Sequence, residues 1–243
     1  MFLPFFNASI RLFGVSLPES VSPTMTQSSI LSLIQKDFML EWRQKHALGG
    51  VVLYLVSTIF ICYFSFSGIM SSETWNALFW IIIAFASMNL VLKSFGDETH
   101  GRKFYMYTLV SPGALLFSKI VLNSLIMFLL GVMGFWLFRL FMGNMAGNLA
   151  GYWLVLLVGV LGFSAILTMV SAIASQARNN FTLMAILGFP LILPLLLLLI
   201  RASGAAVNGM SISAFTPDLI VILLLVMISL TMSNILFPYL WKE

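Results

Sequence analysis

From Arg178 to Arg201 the chain reads RNNFTLMAILGFPLILPLLLLLIR, 22 uncharged residues held between two arginines. A helix needs roughly 20 such residues to cross about 30 Å of hydrocarbon at about 1.5 Å per residue, so this stretch spans a bilayer. The rest of the chain is divided in the same way. His46 and Glu73 bracket 26 uncharged residues, Glu73 and Lys93 bracket a second stretch, and Lys119 and Arg139 enclose 19. The third span is expected to start a turn before Lys119, where Leu115, Leu116 and Phe117 continue the apolar run, leaving Lys119 to snorkel to the interface. Leu140 to Ala177 holds 38 uncharged residues, in which Gly143, Asn144, Gly147 and Asn148 mark a loop before a helix starting near Ala150. A sixth span lies between Asp218 and Lys242, and the small, polar stretch from Ala202 to Pro217 before it reads as an external loop. On these boundaries no Asp or Glu falls inside a span.

Composition agrees. The 243 residues are 60% hydrophobic and 8% charged, against about 25% charged in a soluble domain, and the mean hydropathy is +1.05. The spans follow one another too closely to leave room for a folded soluble domain. The fold class is therefore all-α, a polytopic membrane protein with six transmembrane helices. A net charge of +4 does not indicate nucleic acid, because the basic residues are scattered over loops and form no stripe. Cys62 is the only cysteine, so neither a disulfide nor a cysteine metal site is possible within one chain.

Residues 1–27 read as an N-terminal extension, disordered or, if Met25 is the start, not translated; residues 28–243 form one six-span membrane domain. The first residues do not fit a signal peptide, since a basic leader is missing and Arg11 interrupts the apolar stretch.

Positive charge accumulates in cytoplasmic loops. Six spans put both termini on one side, and with that side cytoplasmic ten of the twelve Lys and Arg residues lie inside, leaving only Arg139 and Arg201 outside. Trp75, Trp136 and Trp153 fall near the predicted outer ends and Trp42 and Trp241 near inner ones, as an aromatic belt requires. Trp80 fits no belt and reads as packing between helices. The expected topology is multi-pass with both termini cytoplasmic.

Before the first span, Ser29 to Lys45 has helical periodicity, with Ile30, Ile34, Phe38 and Trp42 four apart. This amphipathic helix would lie in the inner interface. Asp37, Glu41, Trp42 and Arg43 make it either a plain surface anchor or an elbow helix that meets a cytoplasmic partner.

Several chemistries are excluded by missing residues. No glycine-rich loop ends in Gly-Lys, so the chain has no Walker A site for nucleotide phosphates. His46 and His100 both fall outside the spans, so no span holds a base for hydrolysis or a His-Glu-x-x-His zinc motif. The chain is expected not to be an enzyme. Asn89, Asn123 and Asn234 are the most polar residues well within spans and should face other helices or a subunit interface. Pro190 and Pro194, four apart, should kink the fifth span. Gly131 and Gly134, Gly147 and Gly151, and Gly159 and Gly162 permit close helix approach.

The segment between the second and third spans carries the densest charge: Lys93-Ser-Phe-Gly-Asp-Glu-Thr-His-Gly-Arg-Lys103, then Phe-Tyr-Met-Tyr-Thr-Leu-Val-Ser-Pro112. Its aromatics either bed in the headgroup layer or dock in a partner's groove. Pro112 can open the next helix.

With Phe95, Asp97, Glu98, Gly101, Leu109, Ser111, Pro112 and Lys119 at these spacings, the loop resembles the second cytoplasmic segment of the heme exporter protein B (CcmB) family. Lys36-Asp37 and Leu40-Glu41-Trp42-Arg43 resemble that family's first helix, Phe189-Pro190-Leu-Ile-Leu-Pro194 its fifth span, and Phe237-Pro238-Tyr-Leu-Trp241 the ending of some members. In one departure, Arg102-Lys103-Phe104 follow Gly101, where many members have a small residue, a leucine and an acid.

The resemblance implies an ABC-2-type permease of the bacterial inner membrane, dimeric, and the lack of a histidine on the outer side or in a span adds the expectation that it binds no cofactor stably. It uses ATP only through a cytoplasmic ABC ATPase subunit, which the loop residues named above, with Arg102, would contact. Heme-handling membrane proteins of cytochrome c maturation are the other implied partners, and heme is the possible cargo. Stable heme ligation, which needs an axial His, Met, Cys or Tyr, is expected to belong to a partner. Two alternatives are a non-transporting scaffold that couples the ATPase to heme release from a partner, and a permease of similar architecture for a lipid or drug.

Overall fold

The computed structural model describes residues 45–66, 70–96, 112–143, 147–174 and 180–240. Six helices follow one another: α1 Lys45–Phe66, α2 Ser72–Gly96, α3 Pro112–Met142, α4 Leu149–Ala174, α5 Asn180–Val207 and α6 Ile212–Leu240. Each is long and apolar enough to cross a membrane. The chain is a polytopic membrane protein. The N-terminal extension, the interfacial helix up to Lys45 and most of the charged loop lie outside the described residues.

α4 occupies the centre. Its buried residues run from Gly151 to Ala174 around most of its circumference, and α2, α3, α5 and α6 all pack on it. The close approach expected at its glycines is present. A Cβ on Gly159 would sit 2.7 Å from both Leu199 Cδ2 and Trp80 Cη2, and one on Gly162 would sit 2.9 Å from Leu195 Cδ1. Hydrogen at these positions lets α2 and α5 close on α4, which in lipid is the main source of helix association. α1 is peripheral, with Leu53, Ile61 and Phe64 turned outward.

Two ends of the bundle differ. At one, short connections join α1 to α2, α3 to α4 and α5 to α6; here it is called the turn end. Asn148 caps α4 by accepting the Gly151 N–H on Oδ1 at 3.0 Å and donates from Nδ2 to the Met210 carbonyl at 2.9 Å. The Gly147 and Asn148 N–H groups donate to the Val207 and Ala206 carbonyls at 3.0 and 2.9 Å. The α3–α4 connection is thereby fastened to the α5–α6 turn, where Gly209 takes φ 74. The opposite end, carrying both ends of the charged loop, is the loop end.

Helix ends depart from the expected spans. α5 continues past Arg201 to Val207 and α6 begins at Ile212, so the loop expected from Ala202 to Pro217 shrinks to a turn at Asn208–Ser211. The physical reason is an ion pair: Arg201 and Asp218 neutralise each other at 2.9 Å, so neither must leave its helix. Asp218 consequently lies inside a span, 7% exposed, contrary to the expectation that no acid does.

Candidate functional site

The polar groups inside the bundle fall into two layers, one near each end, joined by the apolar length of α4. At the turn end, Asn76 and Trp80 sit one turn apart on α2 and face Ser203 of α5. Trp80 donates its Nε1 hydrogen to Ser203 Oγ at 2.7 Å. The Ser203 hydroxyl lies 2.8 Å from Asn76 Oδ1 and 2.6 Å from the Leu199 carbonyl, sharing its single proton between them. Asn76 Nδ2 donates to the Ile200 carbonyl at 2.8 Å. All three side chains are buried. Such interhelical bonds contribute about 1 kcal/mol each in lipid, but leaving one partner buried and unpaired costs more. Trp80 thus packs between helices as its position suggested, with Ser203 and Asn76 as partners that composition could not indicate.

Beside this network lies an aromatic cluster. Trp75 in the first turn of α2, Phe135 and Phe138 near the end of α3, and Tyr152 in the first turn of α4 are each no more than 1% exposed. Trp75 meets Phe138 edge-on at 5.6 Å and Tyr152 edge-on at 5.9 Å, and Phe135 and Tyr152 are tilted at 37° with 5.1 Å between ring centroids. Edge-to-face geometry is the favoured aromatic arrangement. Trp75 is therefore core and no part of an interfacial belt, because α3 and α4 close over the first turn of α2. Trp136 does lie outside, 56% exposed, with the Arg139 guanidinium 5.5 Å above its ring. Within the cluster Trp75 Nε1 and the Tyr152 hydroxyl have no hydrogen-bond partner.

At the loop end three side chains bond across to another helix, while Ser124 Oγ and Ser233 Oγ have no partner among the described residues. Asn123 of α3 donates to Thr168 Oγ1 of α4 at 3.0 Å, and Ser164 of α4 donates to the Ile120 carbonyl of α3 at 2.8 Å. Ser171 reaches the Val91 carbonyl of α2 at 3.5 Å. Asn123 faces another helix as expected. Asn89 and Asn234 bond back to their own helices at the Phe85 and Leu230 carbonyls, each at 3.0 Å.

The predicted site residues are distributed unevenly over this frame. Asp37, Glu41, Trp42 and Arg43, and with them Asp97, Glu98, Gly101, Arg102, Leu109 and Ser111, lie outside the described residues. Phe95 falls in the last turn of α2, and Pro112 opens α3 as a first-turn proline should. Lys119 differs from expectation. It is 6% exposed, because α3 starts seven residues earlier and carries it into the bundle beside the Asn123 layer. Pro190 and Pro194 lie inside α5 on its outward side, where each removes one helical hydrogen bond. Among the described residues no three His, Cys, Asp or Glu side chains gather as a metal site.

No curated protein matches the chain. The family model described as CcmB protein matches residues 28–238, which takes in all six spanning helices. With this match over nearly its whole length, the chain belongs to the CcmB protein family, the membrane permease subunits of the heme exporter of cytochrome c maturation, and is a multi-pass inner-membrane protein.

Proposed function

We propose that this chain is the membrane half of an ATP-driven heme exporter in which a separate cytoplasmic ATPase supplies the work, two copies of the permease form the membrane core, and the chain itself catalyses no reaction. The observation that carries the reading is the family match across residues 28–238 together with six helices able to span. Charge supports an orientation with the loop end and both termini in the cytoplasm, since Arg139 and Arg201 are the only basic residues left on the turn side. The ATPase then docks against the loop between α2 and α3, through Phe95, Asp97, Glu98, Gly101, Arg102, Leu109, Ser111 and Pro112, with the elbow residues Asp37, Glu41, Trp42 and Arg43 beside it. Lys119, held within the bundle, serves as the anchor of α3 behind that contact. The chain binds no cofactor stably and carries heme as cargo, handing it to heme-binding membrane partners.

Reconstitution of permease and ATPase into vesicles tests this reading. ATP-dependent movement of heme across the bilayer is the expected result. ATP-dependent release of heme from a partner protein without net flux would establish the scaffold reading instead.

A further inference from the structure

α3 itself is hydrogen-bonded to a neighbouring helix near one end only. Near the loop end it is tied to α4 by two buried hydrogen bonds, Asn123 to Thr168 and Ser164 to the Ile120 carbonyl. From Ser124 to Met142, among the described residues, no hydrogen bond links it to another helix, and Ser124 Oγ is itself without a partner. What holds this half is apolar packing, with Ile126, Met127 and Leu130 buried, and ring contact: Phe138 against Trp75 at 5.6 Å and Phe79 at 5.7 Å, and Phe135 against Tyr152 and Trp153, both at 5.1 Å. α2 and α4, by contrast, are tied at the same level through the Asn76–Ser203 network and the Asn148 clamp. After Met142 the helix stops at Gly143, whose φ of 85 is the left-handed conformation in which helices commonly end.

The two phenylalanine rings pack on Trp75 and Tyr152, whose Nε1 and hydroxyl are unpaired on side chains no more than 1% exposed. Buried indole and phenol groups usually find a partner. Phenylalanine in place of Tyr152 would fill the same space without an orphan, as Phe79 does in the same cluster, whereas in place of Trp75 it would also delete buried ring atoms and leave a cavity. The two polar atoms therefore disfavour the closed packing and gain hydrogen bonds only when water reaches them. That difference between states is what a conformational equilibrium needs.

We propose that the turn-end half of α3 is a gate. It pivots about Asn123–Thr168 and Ile120–Ser164, lifts Phe135 and Phe138 from Trp75 and Tyr152, and admits water to the indole N–H and the phenol. The peripheral α1, whose Phe60 and Tyr63 pack on Phe141 at 4.6 and 5.6 Å, moves with it. The proposal rests on the permease reading for what passes the gate, and on the bundle geometry alone for its motion.

The test uses the permease with its ATPase in lipid nanodiscs, carrying Cys62→Ser and Phe138→Cys, and measures modification of the new cysteine by a membrane-impermeant maleimide. Adding Tyr152→Phe in that background removes the phenol orphan at unchanged packing and should slow labelling about threefold. Tyr152→Phe alone in the otherwise unaltered protein should raise its melting temperature. Equal or faster labelling, or a lower melting temperature for Tyr152→Phe, would overturn the gate, since a merely structural hydroxyl would weaken the fold when removed. A vesicle experiment without heme flux, alongside slowed labelling, would count against the cargo and leave the gate standing.

Discussion

Asp218 and Arg201 meet 2.9 Å apart across the α5–α6 hairpin, the carboxylate side chain 10% exposed and the guanidinium side chain 75% exposed. Arg201 Nε also donates to Asp218 Oδ2 at 3.1 Å, so the contact is two-pronged. The asymmetry in exposure sets an asymmetry in consequence. Arg201→Ala strands a buried carboxylate and should destabilise by about 2 kcal/mol. Asp218→Asn leaves a guanidinium that water already reaches and should cost less than about 1 kcal/mol. Thermal unfolding in detergent measures both, and equal losses would contradict the buried placement of Asp218.

Gly159 and Gly204 make a matched pair for steric tests. Gly159→Ala forces a methyl to 2.7 Å from Leu199 and Trp80, whereas a Cβ on Gly204 meets only Asn76 Nδ2 at 3.6 Å. The first should destabilise by about 1–3 kcal/mol through overpacking, and the second should be nearly silent. The same unfolding assay separates them, and a silent Gly159→Ala would show that α4 and α5 are not so close.

Ser203 is the hub of the turn-end network. Ser203→Ala deprives Trp80 Nε1 and Asn76 Oδ1 of their partner at once and should cost about 2 kcal/mol. Combining it with Trp80→Phe should cost less than the sum of the separate losses, because the second change removes one of the orphans the first creates. Additive losses in that double-mutant cycle would break the network apart as a unit.

Topology can be checked by labelling. In a Cys62→Ser background, a cysteine at Ser211, which lies exposed in the α5–α6 turn, should react with an impermeant reagent from outside the cell. One at Thr99 should react only after permeabilisation. The reverse pattern would invert the orientation.

For ATPase docking, Glu98→Lys or Gly101→Pro should reduce co-purification of the ATPase while insertion of the six spans continues. Unchanged recovery and unchanged ATPase stimulation in both variants would remove the loop from the contact.

The spans could be read from charge spacing because an unpaired charge in lipid is expensive, so charges gather at helix ends. The rule misplaced the α5–α6 boundary where two charges pair, since Arg201 and Asp218 each remove the reason for the other to leave. Opposite signs on either side of a short glycine-containing turn were the available signal. Tryptophan position misled at Trp75 for a related reason: belts describe helices facing lipid, and the first turn of α2 faces α3 and α4. The small residues at Gly159 and Gly162 announced close packing, but the identity of what packs there, Trp80 and Leu195 with Leu199, depends on non-local pairing that periodicity does not encode. Lys119 was displaced from the interface by the length of α3, set by Pro112 and not by the charge itself. The same limit hid Asn76 and Ser203, which lie 127 residues apart in sequence.

The clamp that joins Gly147 and Asn148 to Ala206, Val207 and Met210 bears on how the protein is made. A nascent chain released into the bilayer after its fourth helix has no carbonyls from the later turn to receive those donors, and its central helix lacks two of its neighbours. Completion of the last hairpin is thus the step that seals the first four helices, and a truncated product would present an unlatched edge for quality-control proteases to recognise.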